Sequence, residues 1–142
     1  MPRLYREAPV NSVWEGSGNV AALDVLRAMT TQPESVDAVV DEVASVAGED
    51  RRLDRALEAL RKELVDGGDL EARARRVAER FALVLQASLL VRHGAPEVAD
   101  AFMASRIDLD RGGAFGDLPS GVDLSAVLDR ARVVAGSPPR GG

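Results

Sequence analysis

"LEARARRVAERFALVLQASLLVR", residues 70–92, carries the longest helical pattern of the chain. Leu70, Ala74, Val77 and Phe81 recur at three- and four-residue steps, which places them on one face of a helix. The second half, "FALVLQASLLV", is apolar nearly all round, the mark of the most buried helix of a bundle. Gly94 and Pro96 break it.

Helical periodicity continues on both sides. Upstream, Leu53, Leu57, Leu60 and Leu64 predict a helix over Asp50 to Val65, closed by Gly67 and Gly68, with Asp69 capping the next. Val36, Val39, Val40, Val43 and Val46 predict another that stops at Gly48, with Thr31 and Glu34 in capping-box spacing around Pro33. Val20, Leu23 and Leu26 give a helix over Gly18 to Thr30. Residues 1–16, with Pro2, Pro9, Asn11 and Gly16, read as an extended lead-in. Downstream, Val98, Ala101 and Phe102 point inward from a helix reaching Ser105. A glycine-rich connector over residues 107–121 comes next. The last helix spans Val122 to Val134, with Ser120 and Asp123 as its capping box, and residues 136–142 are a frayed tail. The fold class is all-α: one up-and-down bundle of five to six helices over residues 1–135.

Composition narrows the chemistry. The chain has 142 residues, a net charge of −5 and only 4% aromatics, so its core is built from Ala, Val and Leu. The absence of cysteine excludes disulfides and thiolate metal sites, and a single histidine argues against a zinc site or a Ser-His-Asp triad. His93, at a helix C-terminus, suits the dipole there. No apolar run is long enough for a membrane span, and a cytoplasmic location is the default expectation.

One stretch stands apart: "NSVWEGSGNVAALDVLR", residues 11–27. Ser12 and Glu15 have capping-box spacing. A helix begun there would hold Gly16 and Gly18 in its first turns, each costing about 1 kcal/mol against alanine. A start with Ser17 as N-cap avoids that cost and leaves Glu15 just outside the helix. The free N–H groups of such a start suit a phosphate, and a carboxylate beside bulky Trp14 suits a general base. Residue physics leaves both readings open.

The longer stretch "RLYREAPVNSVWEGSGNVAALDVLR", residues 3–27, resembles the C-terminal region of the acyl-CoA dehydrogenase flavoenzymes, in its adaptive-response, AidB-like branch. "LQASLLVRHGAPEVADAFMASR" (85–106) and "GGAFGDLPSGVD" (112–123) are similar to that branch too. The resemblance implies an FAD-dependent oxidoreductase acting on the CH–CH group of an acyl-CoA, with Glu15 as the catalytic base. It implies that Trp14, Gly16, Ser17, Gly18 and Asn19 lie against FAD. Trp14 in place of the family's usual tyrosine would narrow the acyl pocket. It also implies a homo-oligomer and binding of double-stranded DNA, with Arg27 at a basic position of that branch.

Arg73, Arg76 and Arg80 share one helical face and join Arg27 as candidate DNA contacts. A solvated face, partly neutralised by Glu71 and Glu79 at four-residue spacing from Arg75, is the competing reading. Family members place most of the flavin site on two preceding domains. The expectation is therefore that these residues form the C-terminal bundle alone, with little FAD affinity and no dehydrogenase activity of their own.

Overall fold

The computed structural model describes residues 2–12, 18–66, 69–108 and 118–132. Among them there are seven α-helices and no strand: α1 (Pro2–Glu7), α2 (Gly18–Thr31), α3 (Pro33–Ala44), α4 (Arg51–Val65), α5 (Ala74–His93), α6 (Pro96–Phe102) and α7 (Leu124–Ala131). A 3-10 turn (Ala8–Ser12) succeeds α1, and a π-helical turn (Met103–Ile107) succeeds α6. The expected all-α bundle is present, with one helix more than the periodicity suggested.

The long helix α5 is the axis, packed against α2, α3, α4 and α6. Val43 and Val46 from the α3 end, Leu53, Leu57 and Leu60 from α4, Val84 and Ala87 from α5, and Met103 form the main core. Leu60 and Ala87 are fully buried. A second contact joins α2 to α5 through small side chains, with Ala22, Ala74 and Val77 buried. Burial of α5 is not all round. Ala82, Gln86, Leu89 and His93 form an exposed stripe at helical spacing, with Leu89 42% exposed. Ser88 is fully buried, and its hydroxyl donates back to the Leu85 carbonyl at 2.8 Å, which removes the cost of an unpaired polar group.

Several caps differ from the expected ones. The Thr31–Glu34 capping box does not form: α3 starts at Pro33 after Gln32, and the Thr31 hydroxyl donates to the Arg27 carbonyl at 2.9 Å. Thr31 is still the last residue of α2, so its hydroxyl bonds back into that helix. Asp69 does accept from Glu71 and Ala72 N–H groups, but residues 70–73 form a turn and the regular helix begins only at Ala74. At α7 the cap is Asp123, accepting from Ala126 N at 3.1 Å, in place of Ser120. Its carboxylate also suits the positive helix start. The lead-in is helical rather than extended over Pro2–Glu7, because Pro2 stands at the helix start, where its missing N–H costs nothing.

The expected break between α3 and α4 is present, and a cap that was not among the expected ones follows it. Gly48 turns the chain between α3 and α4 at φ +88°, a value that only glycine adopts without strain. Asp50 caps α4, its carboxylate accepting from Arg52 N at 2.7 Å. The Arg52 guanidinium bonds Asp50 and, also at 2.7 Å, Asp100 of α6, tying the start of α4 to α6. That side-chain hydrogen bond, first among the causes, holds the Asp50 carboxyl below its ordinary value and pushes the Arg52 guanidinium further toward the charged form. A depressed carboxylate contributes stability that is complete above its unfolded-state pKa and is lost as pH falls through its folded value. The urea midpoint is therefore expected to fall as pH is lowered from about 6 to below about 3, and Asp50→Asn to flatten part of that fall.

Candidate functional site

Two groups of expected site residues fall in different places. Trp14, Glu15, Gly16 and Ser17 lie outside the described residues, as do Gly67, Gly68 and residues 109–117 of the glycine-rich connector. Gly18 and Asn19 are the first described residues of α2, and the choice between Ser12 and Ser17 as its cap falls on residues 13–17, outside the described ones. Both are exposed.

The group facing that start comes from α5. The Arg75 guanidinium reaches over Gly18: its Nη2 lies 3.1 Å from where a Cβ on Gly18 would stand. A larger residue at 18 would have to push the guanidinium aside. Asn19 and Leu23 of α2 line a groove with Glu71, Ala72, Ala74 and Arg75. Arg75 makes no ion pair among the described residues, so the expected pairing with Glu71 along the helix gives way to this cross-helix position. A cation held above the positive end of a helix is unfavourable unless an anion accompanies it. The helix N–H groups, the Asn19 amide and the Arg75 guanidinium make a donor set suited to a phosphate, with Glu71 as the opposing charge on the same wall.

The arginine stripe has a different arrangement. Arg73, Arg76 and Arg80 converge on Glu63, a buried carboxylate on α4. Arg76 Nε donates to one oxygen of Glu63 at 2.7 Å, Arg80 donates a very short hydrogen bond to the other, and Arg73 stands 3.8 Å from the first. Arg73 also pairs with Asp66 at 3.1 Å. The cluster keeps one positive charge in excess, and Arg76, with Arg75 and Arg80, faces solvent beside Glu79. Arg27 is exposed on α2 and belongs to no ion pair of this cluster.

Glu63 was not among the residues singled out from the sequence. A signal was there: it lies three residues after Leu60, on the inward face of α4, where an unpaired carboxylate would be costly. The stripe of arginines was the other half of that pattern.

No family model matches the chain. It is 37% identical over 113 residues to AidB of Escherichia coli strain K12, a protein that carries the acyl-CoA dehydrogenase name. The match takes in 80% of this chain and 20% of that protein. The chain is a relative of the acyl-CoA dehydrogenases. A second relative is acyl-CoA dehydrogenase family member 11 of Caenorhabditis elegans, 30% identical over 129 residues, with 78% of this chain and again 20% of the relative covered. The chain thus spans about a fifth of the length of the curated acyl-CoA dehydrogenase relatives it matches. Among the described residues no helix is long and apolar enough to cross a membrane, and no cluster of potential metal ligands occurs.

Proposed function

We propose that this bundle supplies one wall of the flavin and substrate site of an FAD-dependent acyl-CoA dehydrogenase-type protein, an oxidoreductase acting on CH–CH groups. The observation that carries the reading is the start of α2: a glycine under a guanidinium, an asparagine beside it, and an open groove. In this role Gly18, Asn19 and Arg75 would hold the phosphate-bearing part of FAD, with Trp14, Gly16 and Ser17 of the same motif beside it. FAD, when bound, supplies the hydride acceptor. Glu15 is the base that takes the substrate's α-proton, and Trp14 narrows the acyl pocket. The remaining walls belong to segments equivalent to the rest of the relatives' length.

The test is a chimera in which this chain replaces the matched fifth of AidB. It is expected to copurify with flavin. Gly18→Leu, which drives a side chain into the Arg75 guanidinium, should lower flavin occupancy by about tenfold, the loss of one well-made phosphate contact. Glu15→Gln should keep the flavin and lose acyl-CoA-dependent reduction of it by about a hundredfold or more. Full flavin occupancy in the Gly18→Leu chimera would remove the assignment.

A second reading, contact with double-stranded DNA, is favoured by the positive excess of the Glu63 cluster and by the exposed Arg76. It predicts a retardation of duplex DNA that weakens steeply with salt and is lost in the Arg27→Ala, Arg76→Ala double variant. No retardation at low salt would exclude this second role.

A further inference from the structure

Away from the α2 groove, a partly enclosed cavity of about 130 Å³ lies between α4, α5 and the π-helical turn. Its floor is apolar: Ala56 and Ala59 of α4, Leu83 and Val84 of α5, and Ile107. The two alanines leave the space, since larger side chains at these positions would fill the gap between the helices. Four arginines, Arg52, Arg55, Arg80 and Arg106, and one acidic residue, Asp108, complete its lining.

The π-helical turn puts Arg106 and Ile107 at this cavity. It is closed by a five-residue hydrogen bond, Asp108 N–H to the Met103 carbonyl at 2.9 Å, and its extra residue rotates Arg106 and Ile107 away from the positions a regular helix would give them. Such turns carry an energetic cost and recur where a protein shapes a site.

The four arginines are not equivalent. Arg52 is fixed by Asp50 and Asp100, and Arg80 by Glu63, so the charge of these two is already met by carboxylates. Arg106 makes no ion pair among the described residues, and Arg55 has only a 3.8 Å approach to Asp108. Two guanidiniums with hydrogen-bonding capacity to spare therefore stand over an apolar hollow. Arg55 and Arg106 against the single carboxylate of Asp108 leave an excess of positive charge at the cavity, which a bound anion would neutralise.

We propose that this cavity binds a small amphipathic anion, with an apolar body of about six carbons on the alanine floor and a carboxylate or phosphate held by Arg55 and Arg106. The volume bounds the body: an enclosed cavity of about 150 Å³ takes one benzene ring, and this one, at about 130 Å³, is slightly smaller but open on one side. The guanidinium fork sets the head group, since it matches both oxyanions in two-point geometry.

Ile107 is the only isoleucine of the chain, so an isoleucine-methyl-labelled sample of the full chain reports on the cavity through one resonance. Sodium benzoate and phenyl phosphate are expected to move it saturably, with Kd on the order of 1 mM. Benzyl alcohol, which keeps the ring and loses the charge, should bind about tenfold more weakly or worse, and so should inorganic phosphate, which keeps the charge and loses the ring. The Arg55→Gln, Arg106→Gln double variant should weaken benzoate about tenfold while the melting temperature stays unchanged, because neither side chain supports the core. Ala59→Leu should fill the floor and abolish the shift. Three results would overturn the proposal: no saturable shift with benzoate, inorganic phosphate binding as well as benzoate, or full benzoate affinity in the double arginine variant.

Discussion

Glu63→Ala is expected to destabilise the bundle by about 3 kcal/mol, read as a lower urea midpoint at unchanged slope. The side chain of Glu63 is 5% exposed and serves as the common counter-ion of Arg73, Arg76 and Arg80. Removing it leaves three guanidiniums facing one another where α4 meets α5. Removing any one arginine leaves the carboxylate with two partners. Arg76→Gln and Arg80→Gln should therefore cost about 1 kcal/mol each, the more so because those side chains are 54% and 38% exposed and water screens their share. The asymmetry is the test. If Glu63→Ala costs no more than a single arginine replacement, the carboxylate is not what organises the cluster.

Leu60→Ala should cost about 3 kcal/mol, with the midpoint of thermal unfolding lowered accordingly. Leu60 has no exposed surface and sits in the cluster where α4 meets Val84 and Ala87 of α5 and Met103. Truncation removes buried methyl groups and leaves a cavity that the neighbouring helices cannot close without moving α5, which three other helices hold in place. Leu128→Ala is the control. Leu128 is 62% exposed on α7, and its truncation should shift stability by less than about 0.5 kcal/mol. Equal losses at the two positions would mean that the core lies elsewhere.

The candidate site was legible to different depths at different residues. The helix over α2 follows from its apolar periodicity at Val20, Leu23 and Leu26, a local pattern that neighbouring residues reveal. The identity of the motif around Glu15 came from its long, contiguous resemblance to one family and not from any physical property of Trp-Glu-Gly-Ser. That Arg75 stands over Gly18 was not legible, because the two residues are far apart in the chain and Arg75 had closer acidic neighbours at helical spacing. The common face of Arg73, Arg76 and Arg80 was read correctly. The partner that gathers them was not, since Glu63 lies 13 residues before Arg76 and 17 before Arg80, across a turn.

Helices α2 to α7, the breaks at Gly48 and Gly94, and the leucine and valine faces that form the core were legible in the sequence. These depend on steps of three and four residues and on backbone groups within one turn, so the order of residues along the chain is enough to fix them. Packing of distant segments was needed to bury Glu63 among arginines, to lay Arg75 over Gly18, and to bring Arg106 and Ile107 of the π-helical turn to the cavity that Ala56 and Ala59 line. Each of these depends on how α5 seats against α2 and α4. That seating is set by side-chain volumes across the interface, which no window of neighbouring residues contains.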